Sequence, residues 1–153
     1  MIVVSDTSPL TALLTVGKSD ILTKLFDEVV VPEAVQKELL VSHGQLPEWL
    51  RVVTVKDTVR VKQYAQAVDA GEAEAIELAL ELQADRLLMD ERKGRRLAVQ
   101  EGLSVIGLLG VVVLAKRKGL IPSARTLLQR LDDEAGIYLS AEIRDIALKS
   151  VGE

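Results

Sequence analysis

Three features of the sequence predict an α/β fold with a mostly parallel five-stranded sheet. Short aliphatic or β-branched runs recur at 2–5, 29–31, 52–55, 86–89 and 103–106. Segments with helical periodicity lie between most of them, the alternation expected of βαβ units. A chain of 153 residues with 48% hydrophobic content is also long enough to bury a core as one domain, 1–153.

Taken in order, Pro9 opens a first helix that runs to about Gly17, and a short second helix covers 19–26. Pro32 opens the next, over 33–41, and Gly44 and Pro47 mark 42–47 as a loop. Residues 58–70 are weakly helical, and Ala70-Gly71 is expected to interrupt them before a strong helix over 72–83. A helix over 93–101 stops at Gly102, and another over 108–118 has Gly119 as its C′ residue. Helices over 122–134 and 140–151 complete the chain, with no internal repeat, low-complexity tract or linker.

Composition narrows the chemistry. With no cysteine and a single histidine, His43, thiolate zinc sites, cysteine nucleophiles and multi-histidine metal sites are excluded. Any metal must be a hard cation held by oxygen, namely magnesium, manganese or calcium. Phe26, Trp49, Tyr64 and Tyr138 are the only aromatics, too few for single-strand recognition by repeated stacking. Trp49 beside Pro47 is read as a loop anchor, and His43 as a loop residue without a partner. Ser8 lacks the histidine of a triad, and the stretch Gly107-Leu108-Leu109-Gly110 lacks the dinucleotide fingerprint. The net charge of −4 leaves a nucleic-acid partner open, because a local basic cluster suffices. The first residues lack a leader pattern and no segment has the length of a membrane span, so a cytoplasmic location is expected.

Two glutamates stand where the pattern calls for apolar residues. At about 100° per residue, Ala34, Val35, Leu39 and Val41 share one face of the 33–41 helix, and Glu38 falls between Ala34 and Val35. In 72–83, Glu74, Glu77 and Glu81 form a polar stripe, whereas Glu72 sits within the face of Ala75, Ile76, Ala79 and Leu82. Glu72 also stands in the first turn, where a negative charge favours the helix dipole. Asp6 and Asp90 each follow an apolar strand directly, where open α/β sheets bind ligands. Each can equally cap the helix that follows it. Carboxylates gathered within about 4–6 Å need a proton or a cation. Such metal sites can serve phosphodiester hydrolysis. Arg92, Lys93, Arg95 and Arg96 follow at once, either as a phosphate-binding set or as a solvated helix face.

These pieces together resemble the PIN-domain superfamily, especially its VapC-like prokaryotic branch, over nearly the whole chain. The resemblance rests on Val3-Val4-Ser5-Asp6-Thr7-Ser8-Pro9-Leu10, the segment from Val29 to Glu38, the segment from Gly71 to Leu80, and the segment from Leu87 to Arg96. It implies a three-layer α/β/α fold with strand order 3-2-1-4-5, and an acidic quartet of Asp6, Glu38, Glu72 and Asp90 holding Mg²⁺ or Mn²⁺. It also implies Ser8 and Glu91 as auxiliary ligands, ribonuclease action on RNA, homodimers, and an antitoxin protein in toxin–antitoxin pairs. The third acid of such toxins is usually Asp; here it is Glu72, with Asp69 one turn upstream as a competitor. Two other readings stand beside this one: a non-catalytic PIN-like binding or regulatory protein, and a flavodoxin-like nucleotide-binding domain without its glycine loop.

Overall fold

The computed structural model describes residues 1–153. Its elements run β1 (Ile2–Ser5), α1 (Thr7–Thr15), α2 (Asp20–Leu25), β2 (Glu28–Val31), α3 (Glu33–His43), β3 (Leu50–Val52) and α4 (Thr58–Tyr64). They continue with α5 (Ala70–Glu81), β4 (Arg86–Leu88), α6 (Arg92–Gln100), β5 (Val105–Ile106), α7 (Leu108–Arg117), α8 (Ala124–Ala135) and α9 (Ala141–Ser150). The strands form one sheet in the order β3-β2-β1-β4-β5, and every pairing is parallel.

Alternation along the strands divides the core between the two faces of this sheet. Val3, Val29, Val31 and Leu88 pack with α1, α2, α3, α7 and α8 on one side. Val4, Val30, Leu87 and Met89 pack with α5 and α6 on the other, where Tyr64 of α4 joins them. Because β1 and β4 are neighbours, with Ser5 in register with Leu88, their carboxyl ends lie side by side. The backbone N–H of Asp6 donates to the carbonyl of Leu88 at 2.9 Å, which carries the pairing one residue past the strand. No helix is long and apolar enough to cross a membrane.

The elements differ from the sequence expectation in ways that have physical reasons. α1 begins at Thr7, with Asp6 in the N-cap position and Pro9 inside the first turn, where its missing N–H costs no bond. β3 lies at Leu50–Val52 instead of 52–55, because the buried Leu50 is the residue that pairs with Val29. α3 runs on to His43 and stops at Gly44, whose φ of 71° is left-handed. Gly71 does not break α5 but lies in its first turn: a Cβ there would stand 2.9 Å from Glu38 Oε1. At the far end, the Glu153 carboxylate accepts from Ala124 N at 2.6 Å and from Ser123 Oγ at 2.8 Å, which ties the last residues to the start of α8.

Two helical faces also need correcting. Val41 is 89% exposed, so the buried face of α3 is centred on Val35 and Leu39, and Glu38 sits at its margin, not in its middle. Glu77 is 0% exposed and no part of a solvated stripe. It is gripped by Arg60, whose Nε and Nη2 donate at 2.7 and 3.1 Å. Its companions are engaged too: Glu74 accepts from Ala34 N, and Glu81 from the N–H groups of Lys56 and Asp57. The stripe is polar because α5 uses it to hold α3, α4 and the chain after β3.

Candidate metal centre

Asp6, Glu38 and Glu72 arrive from three separated parts of the chain and line one groove at the carboxyl end of the sheet, together with Ser8, Asp69 and Glu91. Asp90 lines an adjoining groove against Leu108 and Leu109, and Ser8 belongs to both. The six candidate site carboxylates, Asp6, Glu38, Asp69, Glu72, Asp90 and Glu91, therefore gather around the ends of β1 and β4.

Each acid reaches its place differently. Asp6 occupies the N-cap position of α1 but makes no side-chain capping bond, so capping does not account for it. Asp69 is the residue that caps, accepting from Glu72 N at 2.8 Å with its Oδ1. Glu91 is the N-cap residue of α6 and likewise makes no side-chain capping bond. Asp90 does not cap the helix after it; its Oδ1 accepts from Leu108 N at the start of α7. Arg95 turns back beside it, with Nη1 donating to the Met89 carbonyl at 3.2 Å.

Three glycines make these approaches possible. A Cβ at Gly71 would meet Glu38 Oε1 at 2.9 Å, one at Gly94 would meet Glu72 Oε2 at 2.7 Å, and one at Gly107 would meet Asp90 Oδ1 at 2.9 Å. None of these contacts is readable from composition. The sequence signal, a glycine on an adjoining element for each of three acids, becomes visible only once the fold has paired them.

Burial dominates the electrostatics of these acids, and like charges add to it at Asp6 and Glu72. Asp6, 6% exposed, is pushed up to about 6, first by burial and then by Asp69, Glu38 and Asp90, with some relief from the Thr7 N–H. Glu72, 7% exposed, is pushed up to about 8 by burial, by a hydrogen bond shared with Asp69, and by the charges of Asp69, Asp6 and Glu91. Asp90 is also raised, by partial desolvation; the Leu108 N–H and Arg95 oppose the rise. Glu72 Oε2 is buried with no hydrogen-bond partner. A buried acceptor left in this state costs on the order of 1–3 kcal/mol, which marks it as a group awaiting a partner.

A family model described as a PIN domain matches residues 2–153. The chain belongs to the PIN-domain family. Neither the curated proteins nor the solved structures contain a match to it. PIN domains are in general nucleases that use divalent metal ions, so the coarse reading of this domain is a nuclease-type fold.

The side chains of this PIN domain fit a hard cation by their chemistry. The donors are carboxylates and a hydroxyl, and one buried carboxylate oxygen has no other partner. As they stand, no three of them are drawn together closely enough to hold an ion. Holding an ion would require these side chains to move closer together.

The basic run of α6 divides in two. Lys93 and Arg96 line a shallow groove with Gln66, Ala67, Leu97 and Gln100, on the surface between α6 and the end of α4. Arg92 is exposed, whereas Arg95 is committed to Met89 and Asp90. Sequence reasoning did not single out Thr7, Thr11 or Thr15, which line the acidic groove along α1. Their spacing of four residues was the available signal.

Proposed function

We propose that this PIN domain is a metal-dependent endoribonuclease that hydrolyses RNA phosphodiester bonds, as the toxin of a toxin–antitoxin pair whose antitoxin protein covers the acidic groove. One observation carries the reading: Asp6 and Glu72 are buried in a shared groove with Glu38 and no cationic side chain lines it. Structural acids are normally paired when buried, so an unpaired cluster points to a missing cation. Asp6, Glu38, Glu72 and Asp90 are the residues that would hold it, with Ser8 and Glu91 as auxiliaries. When bound, magnesium or manganese supplies Lewis acidity and a water acidic enough to attack phosphorus near neutral pH.

The chain's own residues set up the rest. Glu72, raised to about 8, carries a proton at neutral pH and must release it for its carboxylate to serve as a ligand. Asp90 is held at one oxygen by Leu108 N, which leaves the other free. Lys93 and Arg96, with Arg92 beside them, neutralise phosphates of the strand as it leaves the acidic groove. Arg95 acts through Asp90 and is a positioning residue in this scheme.

Purified protein is expected to cut RNA in manganese, and Asp6→Asn to slow cleavage on the order of 100-fold. Equal cleavage by that variant overturns the assignment. Manganese at a hundredfold excess over its dissociation constant should add about 2.7 kcal/mol of stability. No shift in the melting temperature at millimolar manganese would sink the metal centre itself. The separation of the acids favours one second reading, a PIN-like binding or regulatory protein. Tight capture of a protein partner without cleavage of varied RNAs supports that reading.

A further inference from the structure

α1 carries Thr7, Thr11 and Thr15 at intervals of four, so their side chains fall on one face within about 80° of arc. All three face the groove that begins at Asp6, Glu38 and Glu72. Threonine lowers helix propensity relative to alanine, so this repetition is locally unfavourable. A helical threonine can satisfy itself on the carbonyl four residues back, and Thr15 does so on Thr11 at 2.8 Å. Thr7 Oγ1 and Thr11 Oγ1 do not: both are buried and have no partner. Two unmet hydroxyls side by side are a standing demand for a ligand that can both donate and accept.

The rest of the groove says what kind. Its volume of about 490 Å³ lies within the range of small-molecule sites. Ala135 and Ile137 line it too and offer apolar surface for a flat or puckered ring. No Lys, Arg or His lines it, and five carboxylates do, so an anionic phosphate is repelled from its interior. Phosphates have their own place on the other side of the acids, at Lys93 and Arg96. A neutral group flanking the scissile phosphate fits this groove, and the ribose 2′-hydroxyl both donates and accepts.

We propose that the Thr7–Thr11 face of α1 is a nucleoside subsite that grips the ribose 2′-hydroxyl next to the cleaved bond, and so selects RNA over DNA. The proposal rests on the nuclease reading above and names the sugar chemistry that this site recognises.

The test is binding of the full chain to a short fluorescent RNA, to its DNA counterpart, and to RNAs with a single 2′-deoxy nucleotide, followed by anisotropy in calcium. Thr11→Val should weaken RNA binding about fivefold, the value of one neutral hydrogen bond, and leave DNA binding unchanged. Thr11→Ser should restore it. One 2′-deoxy position should reproduce the loss, and Thr11→Val should add nothing further there. Thr7→Val gives a second variant should Thr11→Val fail to fold; an RNA-specific loss of the same size is expected from it. Equal losses on RNA and DNA, or losses that follow base identity, overturn the proposal. RNA and DNA bound alike with cleavage intact sink the subsite and spare the nuclease. Ribose-dependent binding with no cleavage in manganese does the reverse.

Discussion

Helix α5 carries two buried glutamates five positions apart, Glu72 and Glu77, and they differ in what surrounds them. Glu77 is fully enclosed, yet both of its oxygens are met by Arg60. Glu72 is nearly as buried, but its nearest polar neighbours are other acids and its Oε2 meets nothing. Burial of a charge is therefore not the mark of a functional site in this molecule. The mark is burial without a partner, because the fold has supplied the partner wherever the charge is structural.

This contrast can be broken from either side. The largest stability effect is expected on the paired side. Arg60→Met strips Glu77 of its cation and should lower the melting temperature by on the order of 8 °C, moderated by the half-exposed position of the arginine. Its manganese response should stay that of the wild type, measured by thermal melts with and without the ion. A lost response would mean that the two glutamates are coupled.

The unpaired side should show itself as a pH dependence. Asp6 and Glu72 have folded-state values raised to about 6 and about 8, above those of unfolded carboxyls. The native state then holds more protons than the unfolded state across that window, so stability falls as pH rises. Metal-free protein should lose on the order of 5 °C in melting temperature between pH 5 and pH 9. Glu72→Gln should remove most of that fall and raise the melting temperature at pH 8. A flat profile in the wild type would show that neither burial nor the neighbouring acids raises these carboxyls.

The smallest effect sharpens the geometry. Gly94→Ala gains helix propensity of about 1 kcal/mol, but its methyl would meet Met89 Sδ and Glu72 Oε2 inside normal contact. A net drop of about 3 °C is expected, together with a weaker manganese response as Glu72 is displaced. The same substitution at Gly102, whose Cβ would meet nothing, should leave the manganese response alone; its φ of 86° makes the cost purely one of backbone strain.

Much of the fold was legible because its signals are local. Strand runs, helix periods and stops at Gly102 and Gly119 depend on neighbours within a few residues, and their positions agree with the structure to a residue or two at most ends. β3 was displaced because a three-residue edge strand is chosen by its pairing with Val29–Val31, not by its own run of valines. Glu38 and Glu77 were misjudged for a related reason. A helical wheel gives angles but not which angle faces the sheet, so an exposed Val41 shifted the inferred face of α3. The partner that buries Glu77 comes from α4, seventeen residues upstream.

By itself the sequence determined the class of fold, the absence of soft metal ligands, and the identity of the acids that directly follow strands. Periodicity and composition suffice for these, because they follow from backbone geometry and side-chain chemistry alone. Only the tertiary structure decided which carboxylates remain unpaired. It also decided which glycines make room for them, and that the threonines of α1 face the same groove. Those are relations between segments far apart in the chain, and a charge has no function until the fold has fixed what lies opposite it.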